Sequence, residues 1–459
     1  MSRKDTLLDV IIIGGGYTGL SCALTLQKNK KSFLLLEASD HVGGRALDRV
    51  INNDFRLELG GQYIAPIQNR VTQMVKDVGL QTYPAWGEGD NFLLYENKIG
   101  RYQDSPTKCL GSLLQDKLVQ AEIEKALALL SNMFKEISPT APWESGNGEA
   151  WDAMTFQTWL DSVLTTSPAK QFFRFMTNQG FSTEPEQISL LQMLWFFKTS
   201  HGLPPWAIGG GQANRVDGGT GLLALKMAER FQEQIRCNEP VLKILQDDDF
   251  VFIQTEKNVY KAKAAVVCIP PQLISSIRYE PSLPPDLHRS FAALQTGNSM
   301  KVQAVYKKPF WRDKKFSGNG LSYTGIPTFT YDNSKKDGSL GVLLGFIAAG
   351  HATKWNQKPQ EVRKEAVLNT WASIFGEEAL HPIDYIEQDW LQEPYIRGGH
   401  GCHFPPGVWK ELGPSLGKEK MPQFKKVTFA ASDIAKDWNG YLEGALYAGE
   451  QAAMESTLK

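Results

Sequence analysis

The chain has 459 residues, enough for two or three domains at roughly 150 residues each and for a large core, so a peptide-sized module is excluded. Lysine plus arginine number 49 against 50 aspartate plus glutamate, a net charge of −1, which leaves no basic surplus to track a nucleic-acid backbone. With 42% hydrophobic and 22% charged residues the composition is that of a folded globular protein, and glycine, at 41 residues, is mildly in excess.

The first residues, Met1 to Thr6, lead into an apolar stretch too short for a signal-peptide core. Asp9 to Ile13 is a β-branched run that predicts a strand. It ends in Gly14-Gly15-Gly16-Tyr17-Thr18-Gly19, after which Leu20, Ala23, Leu24 and Leu26 recur at helical spacing. In such a strand-turn-helix unit Gly14 turns the chain, Gly16 leaves room for a pyrophosphate, and Gly19 lets helix and strand pack closely. Phosphates would then sit at the helix amino terminus, where free N–H groups and the dipole favour negative charge. Ser32 to Leu36 predicts a second strand, and Glu37 at its end can accept the hydroxyls of an adenosine ribose. Gly43-Gly44-Arg45-Ala46 and Leu59-Gly60-Gly61-Gln62-Tyr63 give two further places for close backbone approach to a ligand.

The run from Glu37 through Ala38-Ser39-Asp40-His41-Val42-Gly43-Gly44-Arg45, following a GGG turn, resembles the FAD-binding entry of the flavin-dependent amine oxidases, and within them most of all the monoamine oxidases. The resemblance implies FAD as the dinucleotide, with Glu37 on the adenosine ribose and Arg45 near the pyrophosphate. Ala46 departs from the hydroxyl residue frequent in the family, so that side-chain hydrogen bond is absent.

Further along, Gly111 to Ile137 reads as one amphipathic helix and Ser138 to Glu149 as a surface loop. Trp151 to Lys198 is helical again, with Thr155 and Ser182 or Thr183 as amino-terminal caps. His201 to Gly221 is glycine-dense. Gly209-Gly210-Gly211 and Gly218-Gly219 admit a phosphate turn, or equally a helix entry returning the chain to the cofactor domain, since no strand precedes them. Asp249 to Gln254 and Ala264 to Ile269 predict strands. By resemblance Val241 would meet the adenine through its backbone and Gln212 would line the substrate cavity.

Ser299 to Tyr306 alternates as a strand and continues to Pro309-Phe310-Trp311. A lone strand lysine is ordinarily a solvated edge residue. Here Lys301 resembles the family lysine that holds a water at flavin N5, and there its charge would stabilise the reduced ring and assist reaction with oxygen. Counting from Trp390 to Phe404 without a gap, Gly399 falls where some monoamine oxidases carry the cysteine linked to the flavin, and His400 where they carry a cage tyrosine. Non-covalent FAD is therefore expected, with Cys402 three residues beyond. His400, Cys402 and His403 have metal-ligand chemistry but no distant fourth partner, and no metal is expected. The other cysteines, Cys22, Cys109, Cys237 and Cys268, are dispersed with no CxxC pair, which points to a reducing compartment.

Phe429 to Asp433 closes a strand and Trp438-Asn439-Gly440-Tyr441-Leu442 opens a last helix with small residues at Ala448, Gly449 and Ala452. Its amino terminus would receive electron density from the N1–C2=O edge of a reduced flavin. The resemblance makes Ser432 and Asp433 ribityl or pyrophosphate neighbours and Tyr441 a cage wall opposite His400. Ala431 and Asp433 differ from the commoner Gly and Glu.

Taken together, turn and resemblance assign Gly14, Gly16, Thr18, Gly19, Glu37, Ala38, Gly44, Arg45, Gly60, Gly61, Gln62, Tyr63, Val241, Trp390, Ser432, Asp433, Gly440, Tyr441 and Leu442 to the cofactor. Gln212, His400 and Tyr441 go to the substrate, and Lys301, His400 and Tyr441 to catalysis. The expected fold is α/β and α+β: a discontinuous Rossmann-like FAD-binding domain (1–83, 213–290, 393–459) with a mixed sheet-plus-helices substrate domain (84–212, 291–392). The expected partners are a small-molecule amine, oxygen or another electron acceptor, and a second copy of the chain in a homodimer. A cytoplasmic protein with no membrane anchor is expected, because no apolar run reaches about 18 residues. Two other readings stand beside amine oxidation. One is an amino-acid or polyamine oxidase or other FAD oxidoreductase, the amino-acid enzyme needing a buried arginine such as Arg101 or Arg174. The other is a non-enzymatic FAD-binding protein.

Overall fold

The computed structural model describes residues 7–51, 55–202 and 212–457. The β-branched run at the amino end forms the strand Leu8–Ile13, with Phe33–Leu36 parallel beside it and Ile13 opposite Leu36. On its other side Leu8–Ile13 pairs in parallel with Val259–Val267, which also pairs with Val427–Phe429. Ile235–Arg236, Val241–Gln246, Val251–Thr255, Arg278–Glu280 and Gln423–Phe424 complete a nine-stranded sheet. Its central strands are covered on both faces, which is why they read as unbroken apolar runs rather than as alternation.

Helices Tyr17–Lys28 and Leu442–Ser456 lie against each other on one face of this sheet, sharing a core with Val10, Ile12, Leu35 and Val266. Their backbones touch: a Cβ on Gly449 would stand 2.2 Å from the Thr18 carbonyl oxygen, and Ser21 Oγ donates to Leu446 O at 2.8 Å. The dinucleotide-type sheet is thus assembled from both ends and the middle of the chain, as the discontinuous α/β expectation requires.

A second, mixed sheet of seven strands runs in the order Asp384–Asp389, Ser299–Tyr306, Gly341–Ala348, Phe329–Asp332, Phe316–Ser322, Asp90–Tyr95, Lys98–Tyr102. Ser299–Tyr306 lies inside it with all eight residues buried, so its polar positions do not face water as alternation alone would suggest. Lys301 sits opposite Phe346 on one neighbour and Gln388 on the other. Helices Lys117–Met133, Phe156–Val163, Ser167–Phe181 and Leu190–Thr199 pack an aromatic-rich core around Phe156, Phe173 and Trp195 that is continuous with the Ile11, Ile13 and Leu36 face of the nine-stranded sheet.

Three local expectations are corrected here. The segment 111–137 is broken: one helix, Pro106–Leu114, stops at Gln115 in the left-handed region (φ 56°), and Asp116 caps the next by accepting from Leu118 N–H at 2.9 Å. The 138–149 stretch is not all surface, because Trp143 is buried and stacks on Trp409 at 5.8 Å. Thr155 caps its helix as expected, accepting from Thr158 N–H at 2.9 Å, but Ser182 closes the helix Ser167–Phe181 instead of opening the following one, which Ser189 caps. Gly209 to Gly211 lie outside the described residues, and Gly218 caps the helix Gly219–Glu229.

Candidate active site

A single cavity of about 830 Å³ runs between the two sheets. Its cofactor-like end is built by the first glycine turn. Gly14 adopts φ +104°, and a Cβ there would stand 2.7 Å from Cys268 O, so only glycine makes the turn. Gly16 faces open space, its nearest obstacle being Gly44 Cα at 4.0 Å, and it caps the helix Tyr17–Lys28 with no side-chain bond. The first N–H groups of that helix lack intrahelical partners, and Gly16, Tyr17 and Thr18 line the cavity. Glu37 is buried at the end of its strand and accepts from Gly15 N–H at 2.5 Å and Ser39 N–H at 2.8 Å. Ala38, Gly44, Gly60, Gly61, Tyr63 and Val241 also lie on the wall.

Gly19 is not on the wall. A Cβ at that position would stand 1.9 Å from Gly14 O, so this glycine serves helix–strand packing. Asp433 is also set back from the wall, behind Arg45. The two form a bidentate pair at 3.0 and 2.6 Å, and Arg45 further donates to Ser432 Oγ at 2.9 Å and to His400 O at 2.5 Å. Burial alone would raise the Asp433 carboxyl, but the Arg45 guanidinium, with the Cys402 N–H at 2.7 Å, holds it below its usual range. Arg45 and Ser432 themselves line the cavity.

Farther along, Gly440, Tyr441 and Leu442 bring the amino terminus of Leu442–Ser456 to the same space. No protein atom lies within 4 Å of a Cβ built on Gly440. Two helix amino termini therefore open onto one cavity, a donor set suited to a pyrophosphate at one and an electron-rich ring edge at the other. The cradle fits a dinucleotide such as FAD.

Lys301 lines the cavity from the interior strand and is only 2% exposed. Its Nζ donates to Gly60 O at 2.9 Å and to Gln62 Oε1. Gln62 donates to Asn333 at 2.7 Å, Asn333 to Gln303 at 2.7 Å, and Gln303 to Glu58 O at 2.9 Å. Behind this chain Glu58 is ion-paired with Arg215 at 2.6 Å, both buried. Burial, only partly countered by Glu58, brings the Lys301 ammonium down to about 7. Asp48, beside Glu58, is pushed up to about 6 by burial and by that neighbouring carboxylate.

His400 and Tyr441 both face this cavity, as does Gln212. The Tyr441 ring stacks on Phe196 at 6.1 Å and meets Trp438 edge-on at 5.2 Å, while His400 tilts against Phe346 at 5.6 Å. Burial, then the charges of Lys301 and Arg45, brings the His400 imidazole down to about 4, so the ring is neutral. Trp390 donates to Leu59 O at 3.1 Å and packs on Gly399, where a Cβ would be 2.9 Å from Ser299 Cβ. Cys402 is buried off the cavity wall, its Sγ 3.0 Å from Gln272 Oε1, and burial pushes its thiol up. Gly399 to His403 form a strand.

Phe181, Phe196, Phe329, Phe346 and Gln179 complete the wall, and sequence reasoning missed them. In helices and strands they carry only the periodicity of core residues. Arg101 and Arg174 do not reach the cavity. They pair with Asp90 at 3.0 Å and with Glu184 and Glu186, respectively.

These features fit a dinucleotide-dependent oxidoreductase, and the family profile for flavin-containing amine oxidoreductases matches residues 17–455. The chain belongs to that family. It is 32% identical over 460 residues to the flavin-containing amine oxidase A of Canis lupus familiaris, covering 99% of this chain and 86% of that one. It is 31% identical over 454 residues to the flavin-containing amine oxidase B of Sus scrofa, covering 97% and 85%. Among solved structures it is similar to cyclohexylamine oxidase from Brevibacterium oxydans, with a TM-score of 0.90 at 26% identity over 98% and 99% of the two chains. A wild-type putrescine oxidase bound to putrescine gives 0.91 at 25%, again over 98% and 99%. Among the described residues no helix is long and apolar enough to cross a membrane.

Proposed function

We propose that the protein oxidises a small primary or secondary amine at its α-carbon, using FAD bound non-covalently along the cavity. The imine formed is hydrolysed by water to an aldehyde or ketone. The observation that carries this reading is the convergence of Lys301, His400 and Tyr441 on the same cavity as the glycine cradle. When bound, FAD would accept two electrons from the amine and pass them to oxygen, giving hydrogen peroxide.

The protein's own groups have distinct tasks in this scheme. Glu37 would accept the ribose hydroxyls, the Val241 backbone would meet the adenine, and Arg45, with the helix terminus at Gly16 to Thr18, would face the pyrophosphate. Ser432 and the terminus at Gly440 to Leu442 would serve the ribityl and ring end. We assign residues 1–83, 213–290 and 393–459 to cofactor binding and 84–212 and 291–392 to the substrate.

Aromatic walls strip water from an incoming ammonium and so favour the neutral amine, whose lone pair assists cleavage of the α-C–H bond. Lys301, poised at about 7, can give or take a proton at Nζ near neutral pH with little driving force against it. Non-covalent binding is supported by position 399, where there is no sulfur and where Ser299 and Trp390 fill the space a side chain would need.

Anaerobic addition of a panel of alkyl- and arylalkylamines to the holoenzyme should bleach the flavin absorption band. Bleaching by amino acids alone would replace this reading with an amino-acid oxidase. Bleaching by nothing in either class would leave a non-enzymatic flavin carrier.

A further inference from the structure

The hydrogen bond between His400 and Ser182 has no task in the scheme above. His400 Nδ1 is hydrogen-bonded to Ser182 Oγ at 2.5 Å, and the His400 carbonyl is pinned separately by Arg45. Ser182 is 1% exposed and ends the helix Ser167–Phe181 in the left-handed region at φ 51°, a conformation unfavourable for a non-glycine residue. Packing enforces it. Asn298 N–H donates to Ser182 O at 2.9 Å, and a Cβ on Gly297 would stand 2.7 Å from Ser182 Cβ. Gly297 in turn lies opposite Gly399, next to His400. The serine is thus pressed against the histidine's strand by a contact that admits no side chain at 297.

The direction of the hydrogen bond follows from satisfaction. Among the described residues Ser182 Oγ has no second partner, so its hydrogen would be a buried orphan donor unless it points at Nδ1. With Nδ1 accepting, the single hydrogen of the neutral ring resides on Nε2. That atom is the ring's remaining polar group, and His400 lines the cavity. Phe346, packed against the ring at 5.6 Å, offers an oxygen no partner, so a substrate oxygen desolvated on that side of the cavity is compensated by Nε2–H.

We propose that Ser182 is a positioning residue that fixes His400 as an Nε2–H donor toward the substrate, and that the site thereby selects amines carrying a hydrogen-bond acceptor, such as a hydroxyl or ether oxygen, near the amino group. The inference rests on amine oxidation at this site. An N–H edge also gives a cation none of the attraction of an aromatic face, which reinforces binding of the uncharged amine.

The test uses the holoenzyme and a panel in which each alkyl- or arylalkylamine is paired with its β-hydroxylated counterpart, for example 2-phenylethylamine with 2-amino-1-phenylethanol. Limiting rates of anaerobic flavin bleaching and Kd are measured for wild type, Ser182→Ala, Ser182→Gly, Ser182→Thr and His400→Phe. Relative to its parent amine, the hydroxylated member should lose about five- to tenfold in rate over Kd in the Ala, Gly and Phe variants, the effect of one neutral hydrogen bond. Ser182→Thr should retain the preference. Ser182→Gly relieves the backbone while removing the hydroxyl, so an unchanged Tm with a lost preference separates positioning from folding. Wild type bleached by the panel with an unchanged preference in both Ser182→Gly and His400→Phe overturns the proposal alone. No bleaching of wild type by any member overturns amine oxidation, and this inference with it.

Discussion

Replacing Lys301 by methionine should remove a pH dependence of stability that the wild type owes to one buried ammonium. In the unfolded chain a lysine keeps its proton up to its ordinary value of 10.5, whereas in the folded protein it does so only up to about 7. Between those values the unfolded state binds the extra proton, so unfolding becomes harder as pH rises. The slope rises to about 1.4 kcal/mol per pH unit above the folded-state midpoint, or about 2.3 kcal/mol between pH 7 and pH 9. Below pH 7 both states are protonated and the contribution flattens. Methionine also forfeits the bonds to Gly60 O and Gln62, which displaces the variant's curve by a constant and leaves its slope without this component. Equilibrium urea unfolding of the oxidised holoenzymes across this range reads the difference directly. Parallel stability curves for wild type and Lys301→Met would refute the argument that burial discharges the lysine.

Asp433→Asn removes the buried carboxylate that holds the partly exposed Arg45 guanidinium in place, a change worth about 1.5–3 kcal/mol; FAD should be lost on gel filtration and Tm should fall, and full retention of both would contradict the role of the pair. Because His400 stays neutral well below its ordinary pKa, an inflection in the limiting rate of flavin bleaching between about pH 6 and pH 8 should belong to Lys301 and persist in His400→Phe; an inflection there that His400→Phe abolishes would count against a neutral ring. Acid precipitation should leave the yellow colour in the supernatant, in Cys402→Ser as in wild type; colour in the pellet would overturn non-covalent binding.

The cofactor cradle was legible because its signals are local. A strand, three glycines and a helix occur within a score of residues, and Gly14 and Gly16 behave as that spacing requires. Glu37 follows from the same unit. Lys301 was legible only through resemblance, since nothing in its strand pattern distinguishes an edge lysine from one in the interior of a sheet. What lies around it was not legible at all: Asp48 and Glu58 face each other across one short hairpin, Arg215 joins them from a distant part of the chain, and no spacing rule links residues that tertiary folding brings together. Ser182 was misread for a related reason. Ser and Thr serve at either end of a helix, and whether the residue opens or closes one depends on φ, which here is set by contact with Gly297. The split at Gln115 likewise depends on a single left-handed residue inside an otherwise continuous apolar stripe.

The backbone contact between Gly449 and Thr18 has a consequence for biogenesis. One half of the cofactor cradle is made by the first helix and the other by residues 440 to 456, and the two are locked together by the Gly449–Thr18 backbone contact and the bond from Ser21 Oγ to Leu446 O. During synthesis the first strand and glycine turn emerge long before their partner exists, and the ribosomal tunnel still shields the last helix when most of the chain is already outside. A cradle that needs both helix termini is therefore incomplete until residues 440 to 456 have emerged, and folded intermediates formed earlier leave that face of the parallel sheet uncovered.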